Sequence, residues 1–192
     1  IGRSHTVAEI YDAFEIAKAS GIPLINTDII AGLPGEDYDM FMNTLNRIID
    51  LEPANITVHT LAVKRASRLR EQDGSYNYST TGEVAKMVED ARRILAESGY
   101  IPYYMYRQKH MAENLENVGY CKPGAESVYN IRIMDEHQSI VALGAGGISK
   151  AYFGRENRLE RVPNVSNYRI YIERIDEMIE RKDKKLYEPF TK

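Results

Sequence analysis

Pro23-Leu24-Ile25-Asn26-Thr27-Asp28-Ile29-Ile30-Ala31-Gly32-Leu33-Pro34-Gly35-Glu36 is a short apolar run with one acid inside it, entered through Gly21-Ile22-Pro23 and left through a Gly-Pro-Gly turn. Nearly continuous apolar character over so few residues suits a buried parallel strand, because such a strand is covered on both faces. Its punctuation predicts a strand over 24–30 that turns at once into a helix.

On the upstream side, Thr6-Val7-Ala8-Glu9 forms a capping box, in which hydroxyl and carboxylate reciprocally satisfy free amides. Ile10, Phe14 and Ala17 follow at helical spacing, so a first helix is expected over about 7–20. Downstream, Phe41, Leu45, Ile48 and Ile49 share one helical face before Pro53. Asn55 to Leu61 is β-branched and strand-like. A polar loop through Gly74 then leads to a helix carrying Val84, Met87, Val88, Ala91, Ile94 and Leu95, which Gly99 ends before a third strand over Ile101 to Tyr106. Alternating strands and helices with short connections predict an α/β protein built of right-handed βαβ units, half of a barrel-like or doubly wound sheet.

After Arg107 the pattern changes. A short helix around His110 to Val118, a loop over Gly119 to Gly124, and two antiparallel strands near Asn130 to Met134 and Ser139 to Leu143 are expected. A final amphipathic helix from about Ser166 carries Tyr168, Ile172, Ile175 and Ile179 and is expected to lie across one edge of the sheet. The chain therefore divides into a β/α part, 1–106, and a small α+β extension, 107–192.

The 192 residues suffice for one proper core, with 43% apolar and 28% charged residues. A net charge of -3 argues against a polyanion-binding role, so no nucleic-acid partner is expected; the basic run Arg181-Lys182-Asp183-Lys184-Lys185 reads as a solvated helix end. A single cysteine, Cys121, excludes an internal disulfide and points to the cytoplasm, and no apolar stretch is long enough to span a bilayer. The opening Ile1-Gly2-Arg3-Ser4-His5-Thr6 has no initiator Met and no signal-peptide pattern, and reads as a cut from something longer.

Asp28 and the Gly-Pro-Gly turn are expected together at the carboxyl end of the parallel strand over 24–30, where α/β proteins bind ligands. The Asp28 carboxylate suits either a ribose diol or a structural hydrogen bond, and local spacing leaves both readings open. The tyrosines of Tyr100-Ile101-Pro102-Tyr103-Tyr104-Met105-Tyr106-Arg107 read first as strand and core residues, and second as the lining of a flat tetrapyrrole pocket, with Arg107, Gln108 and Lys109 as partners for propionates. Gly144-Ala145-Gly146-Gly147 reads as a plain turn and Cys121 as an inert loop thiol. His59, His110 and His137 lack metal-ligand spacing, and no residue of the chain is assigned to a metal.

Asp28-Ile-Ile-Ala-Gly-Leu-Pro-Gly-Glu resembles the "DLIYGLPGQ" strand-turn of the oxygen-independent coproporphyrinogen III dehydrogenases and their heme-chaperone relatives. Ile1-Gly2-Arg3-Ser4-His5-Thr6 is similar to the "IGRxHT" segment of the branch named HemZ, and Leu143-Gly144-Ala145-Gly146-Gly147-Ile148-Ser149 to the family's "LLGMGVSAIS". Ile22 to Thr27, Asn55 to Leu61 and Ser98-Gly99-Tyr100 fall in the family's order.

The resemblance implies the rear half of a radical-SAM barrel with S-adenosylmethionine as cofactor: Arg3 at its carboxylate end, Asp28 at its ribose, and Ala62, within Leu61-Ala62-Val63, beside its adenine. Paired hydrogen bonds suit a guanidinium to a carboxylate. It also implies a [4Fe-4S] cluster held by a C-x-x-x-C-x-x-C motif that this chain lacks; one thiol cannot hold it, and its ligands are expected upstream. The implied reaction is oxidative decarboxylation of coproporphyrinogen III propionates to vinyl groups in heme biosynthesis. Its partners are the porphyrinogen and a reductant for the cluster, and the fragment alone is expected to be inactive. A heme-binding chaperone of the same family, or an unrelated α/β nucleotide-binding module, are the alternatives.

Overall fold

The structure is a computed structural model and describes residues 4–61, 81–106 and 115–187. These fall into two compact units, Ile1–Ser127 and Val128–Lys192.

In the first unit, helix α1 (Val7–Ala19) begins at the expected capping box: the Thr6 hydroxyl accepts from Glu9 N at 3.3 Å, while the Glu9 carboxylate accepts from Thr6 N at 2.6 Å. Strand β1 (Asn26–Ala31) leads through the Gly-Pro-Gly turn to α2 (Tyr38–Asp50), whose N-cap Asp37 accepts from Met40 N at 2.8 Å. Strand β2 (Asn55–Thr60) follows and pairs parallel with β1, with Asp28 opposite Thr57 and Ile30 opposite His59. This is the βαβ unit expected. Helix α3 (Thr81–Glu97) then leads to β3 (Ile101–Tyr106).

The core lies between the helices and one face of the sheet. Ile29 and Ala31 of β1, with Ile56 and Val58 of β2, pack against Phe41 and Leu45 of α2 and against Met87, Ala91 and Leu95 of α3. The two-residue period of a strand therefore sends the alternate set, Asn26, Asp28, Thr57 and His59, to the opposite face. Tyr100 belongs to the core and its hydroxyl donates to Pro53 O at 2.8 Å, while burial pushes the phenol up to about 12.

One part of the sheet departs from expectation. Asn117–Cys121, within the stretch assigned to a helix end and a loop, is a strand, β4, and it runs antiparallel between β2 and β3 to give the order β1-β2-β4-β3. Gly119 reads as a loop signal in sequence, but here it is a clearance. The ring of Tyr104 lies over it, and a β-carbon at 119 would sit 1.8 Å from Tyr104 Cε1. The rest of the helix expected from His110 falls outside the described residues.

The second unit opens with α4 (Val128–Asp135), where Asn130 to Met134 had read as a strand. Alternating Ile131-Arg132-Ile133 mimics period two, but Val128, Ile131 and Met134 are also three apart, and helix is the outcome. Ser139 to Leu143 makes only one bridge, Ile140 to Lys150, while β5 (Ile148–Phe153) and β6 (Arg158–Pro163) form an antiparallel hairpin. The last helix is broken at Arg174 into α5 (Tyr168–Glu173) and α6 (Ile175–Lys182), the latter continued by a π-helical turn over Asp183–Tyr187. Lys182 is buried, and its ammonium donates to Asn164 Oδ1 at 2.7 Å; Asn164 Nδ2 in turn donates to Gly144 O at 2.8 Å. A side chain that composition assigns to a solvated tail thus ties the final helix to the Gly144–Gly147 turn. At Gly147 a β-carbon would come within 3.0 Å of Leu143 O.

Candidate functional site

The sheet face turned away from α2 and α3 carries a row of polar and aromatic side chains. Asp28 sits in the middle of β1 rather than at its carboxyl end, because the strand continues through Ala31. Asn26 Nδ2 donates to Asp28 Oδ1 at 2.8 Å, Thr57 Oγ1 donates to Asn26 Oδ1 at 3.3 Å, and Tyr104 Oη lies 3.3 Å from Thr57 Oγ1. A second row runs beside it. His59 Nε2 is 3.7 Å from Asp28 Oδ1, and Tyr106 Oη is 3.2 Å from His59 Nδ1. The rings of Tyr104 and Tyr106 are parallel, with centroids 6.4 Å apart, and Tyr106 meets His59 edge-on.

Both rows end at the same carboxylate. The facing His59 imidazole, assisted by the Asn26 amide, holds the Asp28 carboxyl down to about 2 against the opposing effect of burial. Asp28 is therefore ionised throughout the physiological range, and its side chain is 58% exposed.

The turn after β1 is closed on itself. The Glu36 carboxylate accepts from Gly32 N at 3.1 Å and Leu33 N at 3.2 Å, so these amides cradle their own side chain. Burial raises the Glu36 carboxyl against those two bonds. The turn thus shapes the strand end.

Of the residues singled out in the sequence, Asp28 is central to this face, while Arg3 and Ala62 lie outside the described residues, as do Arg107, Gln108 and Lys109. Leu61 N donates to Ala31 O at 3.0 Å, which carries the β1–β2 pairing to the residue before Ala62. Tyr104 and Tyr106 lie on this face and Tyr100 in the core. Cys121 is buried, with its thiol pushed up by burial, as an inert thiol would be. Asn26, Thr57 and His59 were not singled out as site residues; the signal was the two-residue spacing Asn26/Asp28, Thr57/His59 and Tyr104/Tyr106.

No protein-family model matches the chain. Comparison with curated proteins finds the oxygen-independent coproporphyrinogen-III oxidase-like protein HemZ of Bacillus subtilis, 41% identical over all 192 residues. The chain belongs to the HemZ-like family. The heme chaperone HemW of Lactococcus lactis is 28% identical over 148 residues, 76% of the chain. This HemZ-like chain spans about two fifths of the length of these relatives, 38% of HemZ and 36% of HemW. Among solved structures, that described as "Coproporphyrinogen III oxidase (HemN) from Escherichia coli is a Radical SAM enzyme" superimposes with a TM-score of 0.64 at 17% identity, over 92% of this chain and 39% of that one. The fold is thus that of part of a radical-SAM protein, with an α/β sheet and a small α+β extension.

Proposed function

We propose that the intact protein is a radical-SAM oxidoreductase that converts propionate side chains of coproporphyrinogen III to vinyl groups, and that this chain supplies part of its S-adenosylmethionine site. The carrying observation is the ionised, half-exposed Asp28 carboxylate on the face opposite the helices, in a chain 41% identical to HemZ. A carboxylate fits a ribose diol, since it accepts two hydroxyl donors without a competing proton of its own. Asp28 binds the ribose, Arg3 the cofactor's carboxylate end, and Ala62 the edge of the adenine. When bound, the cofactor and its cluster supply the one-electron chemistry, fed by an external reductant, and this chain's share is orientation and exclusion of water.

The residues present do not fit the cluster itself. The chain has one cysteine, buried, against the three or four thiolates such a cluster takes. We therefore assign no metal ligand here and expect the 192 residues alone to show no turnover. No described helix is long and apolar enough to cross a membrane.

The test uses the intact protein, purified and reconstituted without oxygen. Asp28→Asn is expected to weaken S-adenosylmethionine binding about tenfold or more in equilibrium dialysis, the size of a lost charged hydrogen bond of ~1.5–3 kcal/mol. Vinyl products from coproporphyrinogen III are expected from the unaltered protein. The HemW relatives favour one second reading, a heme-binding chaperone; tight heme uptake without vinyl formation would establish it instead.

A further inference from the structure

We infer that Tyr106 and His59 are positioning residues for Asp28, with Tyr106 selecting the imidazole tautomer whose N–H faces the carboxylate. The inference rests on the reading of Asp28 as the ribose acceptor and goes further, because neither residue figures in it.

A neutral imidazole has one donor and one acceptor nitrogen, and whichever nitrogen receives a hydrogen bond must be the unprotonated one. Tyr106 Oη stands 3.2 Å from Nδ1. When the phenol donates to Nδ1, the ring proton is left on Nε2, the atom that faces Asp28 Oδ1 at 3.7 Å. That separation is longer than a direct hydrogen bond, and acceptor contacts in ligand-free sites commonly shorten on binding. The strand pairing supports the order of donors: His59 lies opposite Ile30 on β1, two residues beyond Asp28, and Tyr106 lies opposite Asn117 at the end of β3. Tyr106 is also braced by its parallel neighbour Tyr104, which is seated over Gly119.

The oxygen used matters as much as the donor. Asn26 and His59 both approach Oδ1. Oδ1 is the anchored oxygen and Oδ2 the one presented to a ligand hydroxyl, so the carboxylate plane is set before the ligand arrives. Second-layer partners that fix a ligating group's orientation commonly matter nearly as much as the group itself. Around Asp28 on this face stand His59 from β2 and Tyr104 and Tyr106 from β3, with Tyr103 packed against the Tyr104 ring; β4 brings Gly119.

The experiment uses the intact, cluster-loaded protein with ring-15N histidine, with His59→Gln identifying the His59 signals. The unaltered protein is expected to carry the His59 proton on Nε2, and Tyr106→Phe to move it toward Nδ1. S-adenosylmethionine affinity, by equilibrium dialysis, is expected to fall about threefold in Tyr106→Phe and about tenfold in His59→Leu, with partial rescue in His59→Gln, whose amide is still a donor. In an Asp28→Asn background, Tyr106→Phe should have no further effect on affinity. An unchanged tautomer in Tyr106→Phe overturns the inference. So does an affinity loss in Asp28→Asn with none in Tyr106→Phe or His59→Leu, which leaves the ribose reading standing. Unaltered affinity in Asp28→Asn removes the ribose reading and this role together.

Discussion

Asp28 is an acid in the middle of strand β1, and the Asn26 amide and the His59 ring both approach its Oδ1. The carboxyl's folded value of about 2 lies below its ordinary 3.8, with His59 the leading cause and Asn26 and Thr57 assisting. A group depressed in this way stabilises the fold fully above its unfolded value and loses that contribution as pH falls through its folded value. Urea unfolding of the unaltered protein and of Asp28→Asn should therefore differ most above about pH 4 and converge toward pH 2. The gap is small because the side chain is more than half exposed and solvent screens it. Asp28 could be singled out in the sequence because a carboxylate in a short, largely apolar run stands out, though the residues alone left its role open. His59 and the pair Tyr104/Tyr106 could not be joined to it, since what brings them together is the cross-strand register, and that depends on which strand lies between β2 and β3.

At the scale of elements, the segments with strong periodicity and clear punctuation were legible: α1, β1, α2, β2, α3 and β3 all form near their expected bounds. β4 was hidden because Asn117-Val118-Gly119-Tyr120-Cys121 has a glycine at its centre, and glycine ordinarily ends strands. Its reason is steric and cross-strand: the Tyr104 ring occupies the space of a side chain at 119. Gly119→Ala is expected to destabilise the protein by about 1–3 kcal/mol, as overpacking does, and Tyr104→Ala in the same chain to recover part of that loss. Thermal unfolding of the two single variants and the double variant measures it. Additive losses would mean that the ring does not contact position 119. The error at Asn130 to Met134 has a different cause, since eight residues are too few for period two and period 3.6 to be told apart.

For the whole molecule, fold class followed from the alternation of strand and helix up to Tyr106, and the architecture of the Val128–Lys192 unit did not, because its elements are short and its buried set mixes Ala151, Val162, Met178 and Leu186 with the polar Ser149, Asn164 and Lys182. Lys182 is the clearest of these, buried between Asn164 Oδ1 and Met178 O. Lys182→Ala removes its packing and leaves a buried acceptor unpaired, and urea denaturation should report a loss of about 2–3 kcal/mol. The sheet order β1-β2-β4-β3 also sets how the polar face is put together. β1, α2 and β2 form one local unit, β3 and β4 another, and the ladder that joins them runs only from Asn55 opposite Cys121 to Val58 opposite Val118. Asp28 and His59 belong to the first and both tyrosines to the second, so neither half holds the whole row of side chains. The proposed site therefore depends on one short ladder between segments far apart in sequence, and contacts of that range are slow to close.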